Sequence, residues 1–130
     1  MLSIDTIIFD FDGVIIDTET PDFLTWQKVF QAFGVDLEMV LWLDHVGGRS
    51  SQFDVFEHLQ DLTGLTLNES EIKQRRRQEY LDLVESYPLM PGVLDYLDIC
   101  KVNALKVGLA SSSPRAVSYT HLTLPTILLV

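Results

Sequence analysis

The chain has 130 residues, of which 47% are hydrophobic and 22% are charged; this composition suits one compact domain and excludes wholesale disorder. A formal net charge of −10 disfavours nucleic acid and anionic membrane surfaces as partners. The single Cys100 excludes an internal disulfide, and the amino terminus carries neither a basic segment nor a long apolar run. A cytoplasmic protein without a signal peptide or membrane span is therefore predicted.

The first predicted element is a short buried strand at residues 4–11, which is apolar, rich in isoleucine and ended by Asp12-Gly13. Asp10 and Asp12 stand at its carboxyl end, where parallel sheets bind ligands, and side chains two apart share a face. Mg²⁺ would relieve the repulsion between two such carboxylates. One acid could attack phosphorus while the other exchanges a proton. The alternative is a turn with two solvated acids.

A helical block is predicted over residues 21–87. Gly34 is placed at the end of its first helix and Asn68 at the start of its last helix. The arginine run 75–77 is interpreted as a solvated helix face. Two apolar stripes at helical spacing support the prediction: Phe23, Trp26, Val29, Phe30 and Phe33, then Phe53, Phe56, Leu59 and Leu62.

A further helix is predicted from Pro91 to about Asn103, followed by a second buried strand at residues 106–110. Ser111 ends that strand, and its hydroxyl could bind phosphate together with backbone N–H groups of a following helix. The alternative is a serine-rich turn. The order of elements predicts an α/β fold whose first strand is followed by a helical insertion.

Two segments carry a resemblance to a known family. Residues 10–19 (DFDGVIIDTE) look like motif I of the haloacid dehalogenase (HAD) superfamily, and residues 109–113 (LASSS) look like its motif II. The helical block resembles the α-helical cap inserted after motif I, and the most similar subgroup is the β-phosphoglucomutase-like phosphatases. The resemblance implies an incomplete Rossmann-like parallel-sheet core at 1–17 and 88–116, with the cap at 18–87.

The resemblance also implies a function. The parent protein would be a Mg²⁺-dependent phosphatase that hydrolyses a small, phosphosugar-like monoester through an aspartyl-phosphate. Asp10 would be the nucleophile and a metal ligand, whereas Asp12 would be the general acid/base and bind the metal through its backbone carbonyl. Ser111 would bind the phosphoryl group. The remaining phosphate contacts would come from the backbone of Phe11, Asp12 and Ser112, with Gly13 allowing close approach.

Specificity is predicted from two further positions. Arg49 aligns with a cap arginine that contacts substrate in phosphosugar-handling relatives; the alternative is a surface arginine after a Gly-Gly turn. Phosphomutase relatives carry a histidine at the position of Asp22, and its absence here favours hydrolysis. A β-phosphoglucomutase-type phosphosugar mutase is the alternative enzyme.

The end of the chain departs from the family pattern. The superfamily needs a lysine and a later acidic pair, and neither occurs in the residues 112–130 that follow Ser111. Residues 117–126 (VSYTHLTLPT) resemble a translated sequencing-library adapter, so a non-native tail from about Val117 is predicted; the alternative is a real terminal strand at 126–130. The chain is expected to be monomeric, and a third hypothesis is a catalytically inactive truncated fragment.

Overall fold

The computed structural model describes residues 4–47, 53–111 and 127–129. Its elements in chain order are β1 (Thr6–Asp10), α1 (Glu19–Ala32), α2 (Met39–Gly47), α3 (Val55–Thr63), α4 (Glu69–Ser86), α5 (Val93–Val102), β2 (Lys106–Ala110) and β3 (Ile127–Leu129). The chain divides into two compact units, one of Met1–Glu19 with Leu81–Val130 and one of Thr20–Tyr80. The second division falls inside α4, whereas the sequence placed it at residue 87. Within the described ranges, no helix is long and apolar enough to cross a membrane.

The first unit contains a parallel three-stranded sheet in the order β1-β2-β3. β1 and β2 are paired along their whole length, so that Asp10 lies opposite Ala110. β2 is buried at its three central positions, as the apolar run KVGLA predicts. This arrangement of parallel strands and helices confirms the predicted α/β fold.

Helix α5 belongs to the same unit and buries only a narrow stripe. Val93 and Cys100 are buried, but Leu94, Tyr96 and Val102 are exposed. The apolar spacing of Val93, Leu94 and Leu97 predicts that all three face inward, and the exposure of Leu94 corrects that prediction. Gly92 precedes the helix with a φ of 86°, a left-handed conformation that glycine adopts without strain.

The strand β3 coincides with the alternative prediction of a terminal strand at 126–130. It pairs in parallel with β2 over Val107–Leu109. An open strand edge accepts a short apolar segment whatever the origin of that segment, because the pairing uses backbone groups. The adapter-like sequence 117–126 lies outside the described residues, and its origin stays a prediction.

The second unit consists of helices around an aromatic core. Five of its buried residues belong to the predicted stripes, and three belong to neither stripe: the five are Phe23, Trp26, Phe30, Phe56 and Leu59, and the three are Leu37, Trp42 and Val55. Phe33 and Leu62 were assigned to the same stripes but are exposed: Phe33 follows the last residue of α1, and Leu62 lies in the last turn of α3. The predicted caps are confirmed: Gly34 has a φ of 75°, and the Asn68 carboxamide accepts a 3.2 Å hydrogen bond from Glu71 N–H.

The start of α3 offers a stability test. The Asp54 carboxylate accepts hydrogen bonds from the N–H groups of Phe56 (2.8 Å) and Glu57 (2.9 Å), a cap that the sequence analysis missed. Asp54→Ala is expected to lower the free energy of unfolding by about 1 kcal/mol in urea titrations. Asp61→Ala, an exposed change within the same helix, is the control. Equal losses for the two variants would contradict the capping role.

Candidate active site

A tight turn follows β1 and presents the predicted acids. The Phe11 carbonyl accepts hydrogen bonds from the N–H groups of residues 14–16 at 3.0–3.4 Å, and Gly13 N–H donates to Ile16 O at 2.8 Å. Gly13 has a φ of 73°, which a residue with a side chain adopts only with strain. Phe11 and Ile16 are completely buried and anchor the turn. Burial of Phe11 and Ile16 and the backbone hydrogen bonds together stabilise the conformation of this turn.

The turn leaves the carboxyl groups of its acids accessible. Asp10 is exposed, Phe11 is buried and Asp12 is half-buried, the alternation of an extended chain. The parallel ladder continues one residue beyond β1, since Phe11 N–H donates to Ala110 O at 3.1 Å. Phe11 N–H was predicted to bind phosphate. In this structure the sheet uses that donor, and a contact of Phe11 N–H with phosphate stays a prediction.

Asp12 brings the two predicted motifs together. The Ser111 hydroxyl lies 3.4 Å from Asp12 Oδ2, although 99 residues separate them in the sequence. Both residues are half-buried at the carboxyl ends of adjacent parallel strands. This edge of the sheet is where open α/β folds bind ligands. Ser111 and Asp12 therefore share one site, as the motif order predicts.

Thr18 is a member of the site that the sequence analysis missed. Its hydroxyl donates a 3.1 Å hydrogen bond to Asp12 Oδ1, and its side chain is only 4% exposed. Each oxygen of the Asp12 carboxyl group thus has its own hydroxyl partner, Thr18 at Oδ1 and Ser111 at Oδ2. The sequence offered one signal for this role. Thr18 is a polar residue within the motif I segment, and a position that needed only burial could hold an apolar residue instead.

Magnesium can be tested against the donors of this edge. The Asp10 carboxylate and the backbone carbonyl of Asp12 are hard oxygen donors, the kind that Mg²⁺ prefers, and Asp10 is accessible. Across the described ranges, no three His, Cys, Asp or Glu side chains form a group that could hold a metal ion. The Asp10 carboxylate and the Asp12 carbonyl thus have the donor chemistry that Mg²⁺ prefers, but within the described residues they do not by themselves make a complete metal site.

Two predicted site residues cannot be placed. Arg49 and Ser112 lie outside the described residues, and their predicted contacts with substrate and phosphate stay predictions.

The fold and the site define a class of protein. A parallel sheet that presents an accessible carboxylate, a second oriented carboxylate and a hydroxyl at one edge is an α/β scaffold suited to acid–base and nucleophilic chemistry. The family model described as "Haloacid dehalogenase-like hydrolase" matches residues 7–128. The chain belongs to this family.

Individual relatives agree with that assignment. The chain is 42% identical over 110 residues to the "Putative phosphatase YhcW" of Bacillus subtilis (strain 168), covering 85% of this chain and 50% of that protein. It is 35% identical over 114 residues to hexitol phosphatase B of Escherichia coli (strain K12), covering 82% and 49%. The magnesium-bound HAD-hydrolase YfnB of Bacillus subtilis shares the fold, with a TM-score of 0.65 and 16% identity over 98% of this chain and 66% of that one. The chain spans about half the length of the curated relatives it matches.

Proposed function

We propose that the protein containing this chain is a Mg²⁺-dependent phosphatase that hydrolyses a small phosphate monoester through an aspartyl-phosphate on Asp10. The observation that carries the proposal is the meeting of Ser111 with Asp12 next to the exposed Asp10. The similarity to hexitol phosphatase B supports a phosphosugar-like substrate. The magnesium bound to YfnB supports the choice of metal.

The residues of the site divide the chemistry into two steps. An Asp10 oxygen attacks the phosphorus while the bond from phosphorus to the ester oxygen breaks, and Asp12 gives its proton to that leaving oxygen. Asp12, now ionised, then takes a proton from a water that attacks the phosphorus of the aspartyl-phosphate. Inorganic phosphate leaves, and the Asp10 carboxylate is restored. The Ser111 hydroxyl has one proton: without substrate it donates to Asp12, and in the complex it would donate to a phosphoryl oxygen instead.

Magnesium would be held by the Asp10 carboxylate and the Asp12 carbonyl, and when bound it supplies charge neutralisation between the carboxylate and the phosphate. Thr18 and Ser111 orient Asp12, so that its carboxyl group is aimed before the substrate arrives. Arg49 remains a proposed contact for the substrate. A cytoplasmic location, a monomeric state and the lack of nucleic-acid or membrane partners also remain proposals.

Phosphate release distinguishes the proposed activity from its alternatives. Purified full-length protein containing this chain is assayed with hexitol phosphates, hexose phosphates and p-nitrophenyl phosphate, with Mg²⁺ and with EDTA. Stoichiometric inorganic phosphate that disappears with EDTA is expected. An isomeric sugar phosphate without phosphate release would identify a mutase instead, and no turnover of any ester would support an inactive protein.

Thr18 provides a further prediction on the same assay. Thr18→Val keeps the buried shape but removes the donor to Asp12 Oδ1, and we expect kcat to fall about 10- to 100-fold, the usual cost of a hydrogen bond to a charged group. Thr18→Ser retains the hydroxyl and is expected to keep most of the activity. Equal activity in the valine and serine variants would exclude an orienting role for the hydroxyl.

A further inference from the structure

The chain passes between its two compact units twice, at residues 19–20 and at residues 80–81. Asp22 follows the first passage closely, in the first turn of α1, and Arg76 precedes the second by one turn of α4. Within the helical unit, Arg76 Nη1 forms an ion pair with Asp22 Oδ1. The two connecting segments are therefore joined to each other just inside the helical unit.

Several contacts hold the Arg76 guanidinium in place. Nη1 also donates to the Thr25 hydroxyl at 3.0 Å, which ties the guanidinium to a second position on α1. The guanidinium carbon lies 4.7 Å from the Trp26 ring centroid and 5.8 Å from that of Tyr80. The Arg76 side chain is only 16% exposed. The sequence analysis assigned this arginine to a solvated face, and the structure corrects that assignment.

Packing alone does not explain why an arginine occupies position 76. Arg76 Nε is buried and has no hydrogen-bond partner within the part of the chain that the structure describes. An unpaired buried N–H opposes folding, and the partial desolvation of this partly buried ion pair offsets some of its attraction. A methionine stacked on Trp26 would avoid both costs. Methionine, however, cannot form the ion pair with Asp22 or the hydrogen bond to Thr25 that connect α4 to α1.

We propose that Asp22 and Arg76 form a clamp, which we define as this ion pair with its Thr25 hydrogen bond and Trp26 stacking. The clamp keeps the two connecting segments at a fixed spacing where they enter and leave the helical unit. Arg76 is thus a positioning residue for the connections. This inference is independent of the proposed function, because it concerns the coupling of α1 to α4 rather than turnover.

Hydrogen–deuterium exchange of the full chain tests the clamp without any activity assay. Arg76→Met keeps the stacking stem and removes the charge, and Arg77→Met, an exposed neighbour, is the matched control. We expect Arg76→Met to raise amide exchange by about tenfold in residues 20–26 and 76–82, with little change in α3 and none of these effects in the control. An equal rise in α3, or unchanged exchange in both connecting segments, would overturn the clamp.

A second set of variants covers the case in which Arg76→Met fails to fold. Asp22→Asn breaks the same ion pair from the other side and is expected to raise exchange in the same two segments. Arg76→Lys and the double variant Asp22→Asn/Arg76→Lys complete the set. The double variant is expected to exchange no faster than the faster of the single variants Asp22→Asn and Arg76→Lys, because both act on one shared interaction. Exchange that rises multiplicatively in the double variant would show two independent sites and would contradict the clamp.

Discussion

Asp10→Asn is expected to abolish phosphate release by the full-length protein, with kcat lowered by about 10⁴-fold or more. An amide nitrogen or oxygen is a poor nucleophile toward phosphorus, and no alternative nucleophile can enter without changing the mechanism. The fold should survive, because Asp10 is exposed at the end of β1 and its backbone pairing with β2 does not depend on the side-chain charge. The measurement is initial-rate release of inorganic phosphate from p-nitrophenyl phosphate.

The matched control for this substitution is Asp5→Asn. Asp5 is another exposed acid, placed just before the same strand, and its carboxylate accepts a 3.0 Å hydrogen bond from the Thr6 hydroxyl. Its replacement makes the same change in formal charge and should leave kcat within about twofold, as for most surface substitutions. Comparable losses for Asp5→Asn and Asp10→Asn would mean that net charge, and not the nucleophile, governs the activity.

Asp12→Asn is expected to have the second-largest effect, a fall in kcat of about 10² to 10⁴-fold with a sugar phosphate as substrate. Asparagine cannot give a proton to the leaving oxygen or take one from water. With p-nitrophenyl phosphate, whose leaving group needs little protonation, the first step should survive and the second should not. The variant is therefore expected to show a burst of one p-nitrophenolate per enzyme followed by slow turnover.

The size of the burst separates this role from a structural one. Ser111→Ala removes the neighbouring hydroxyl but leaves the carboxyl group of Asp12, so it should slow turnover without producing a burst. A burst in both variants, or in neither, would contradict the assignment of Asp12 as the group that activates water.

The meeting of Asp12 with Ser111 was predictable because two simple rules converge. Each residue follows an apolar run that is too short for a helix, and the carboxyl ends of adjacent parallel strands lie at one edge of a sheet. The register of β1 with β2 then brings the residues together. The orientation of the Asp12 carboxyl group by Thr18 could not be predicted from these two rules. Thr18 reaches Asp12 only because the hydrogen-bonded turn after Phe11 reverses the chain, and periodicity does not encode such a turn.

Arg76 shows a different limit of sequence reading. Three consecutive arginines suggest a solvated face, yet a helix places Ile72, Arg76 and Tyr80 on one side at a spacing of four residues. Because Ile72 is apolar and Tyr80 is aromatic, this side of the helix is the one expected to face the core, so the burial of Arg76 could have been predicted from the spacing. The interpretation of Arg76 as solvated followed the charge of the three arginines and not the helical spacing of the residues around them. What no pattern gives is the partner, since 54 residues separate Asp22 from Arg76.

Chemical trapping of the intermediate tests the proposed nucleophile most directly. The full-length protein is mixed with p-nitrophenyl phosphate and Mg²⁺, quenched in acid and reduced with borohydride, which converts an aspartyl-phosphate to homoserine. Peptide mass spectrometry then locates the modified residue. Homoserine at position 10, absent from Asp10→Asn and enriched in Asp12→Asn, is the predicted result. Modification at another residue, or active enzyme that yields no modified residue in either the parent or Asp12→Asn, would contradict an aspartyl-phosphate on Asp10.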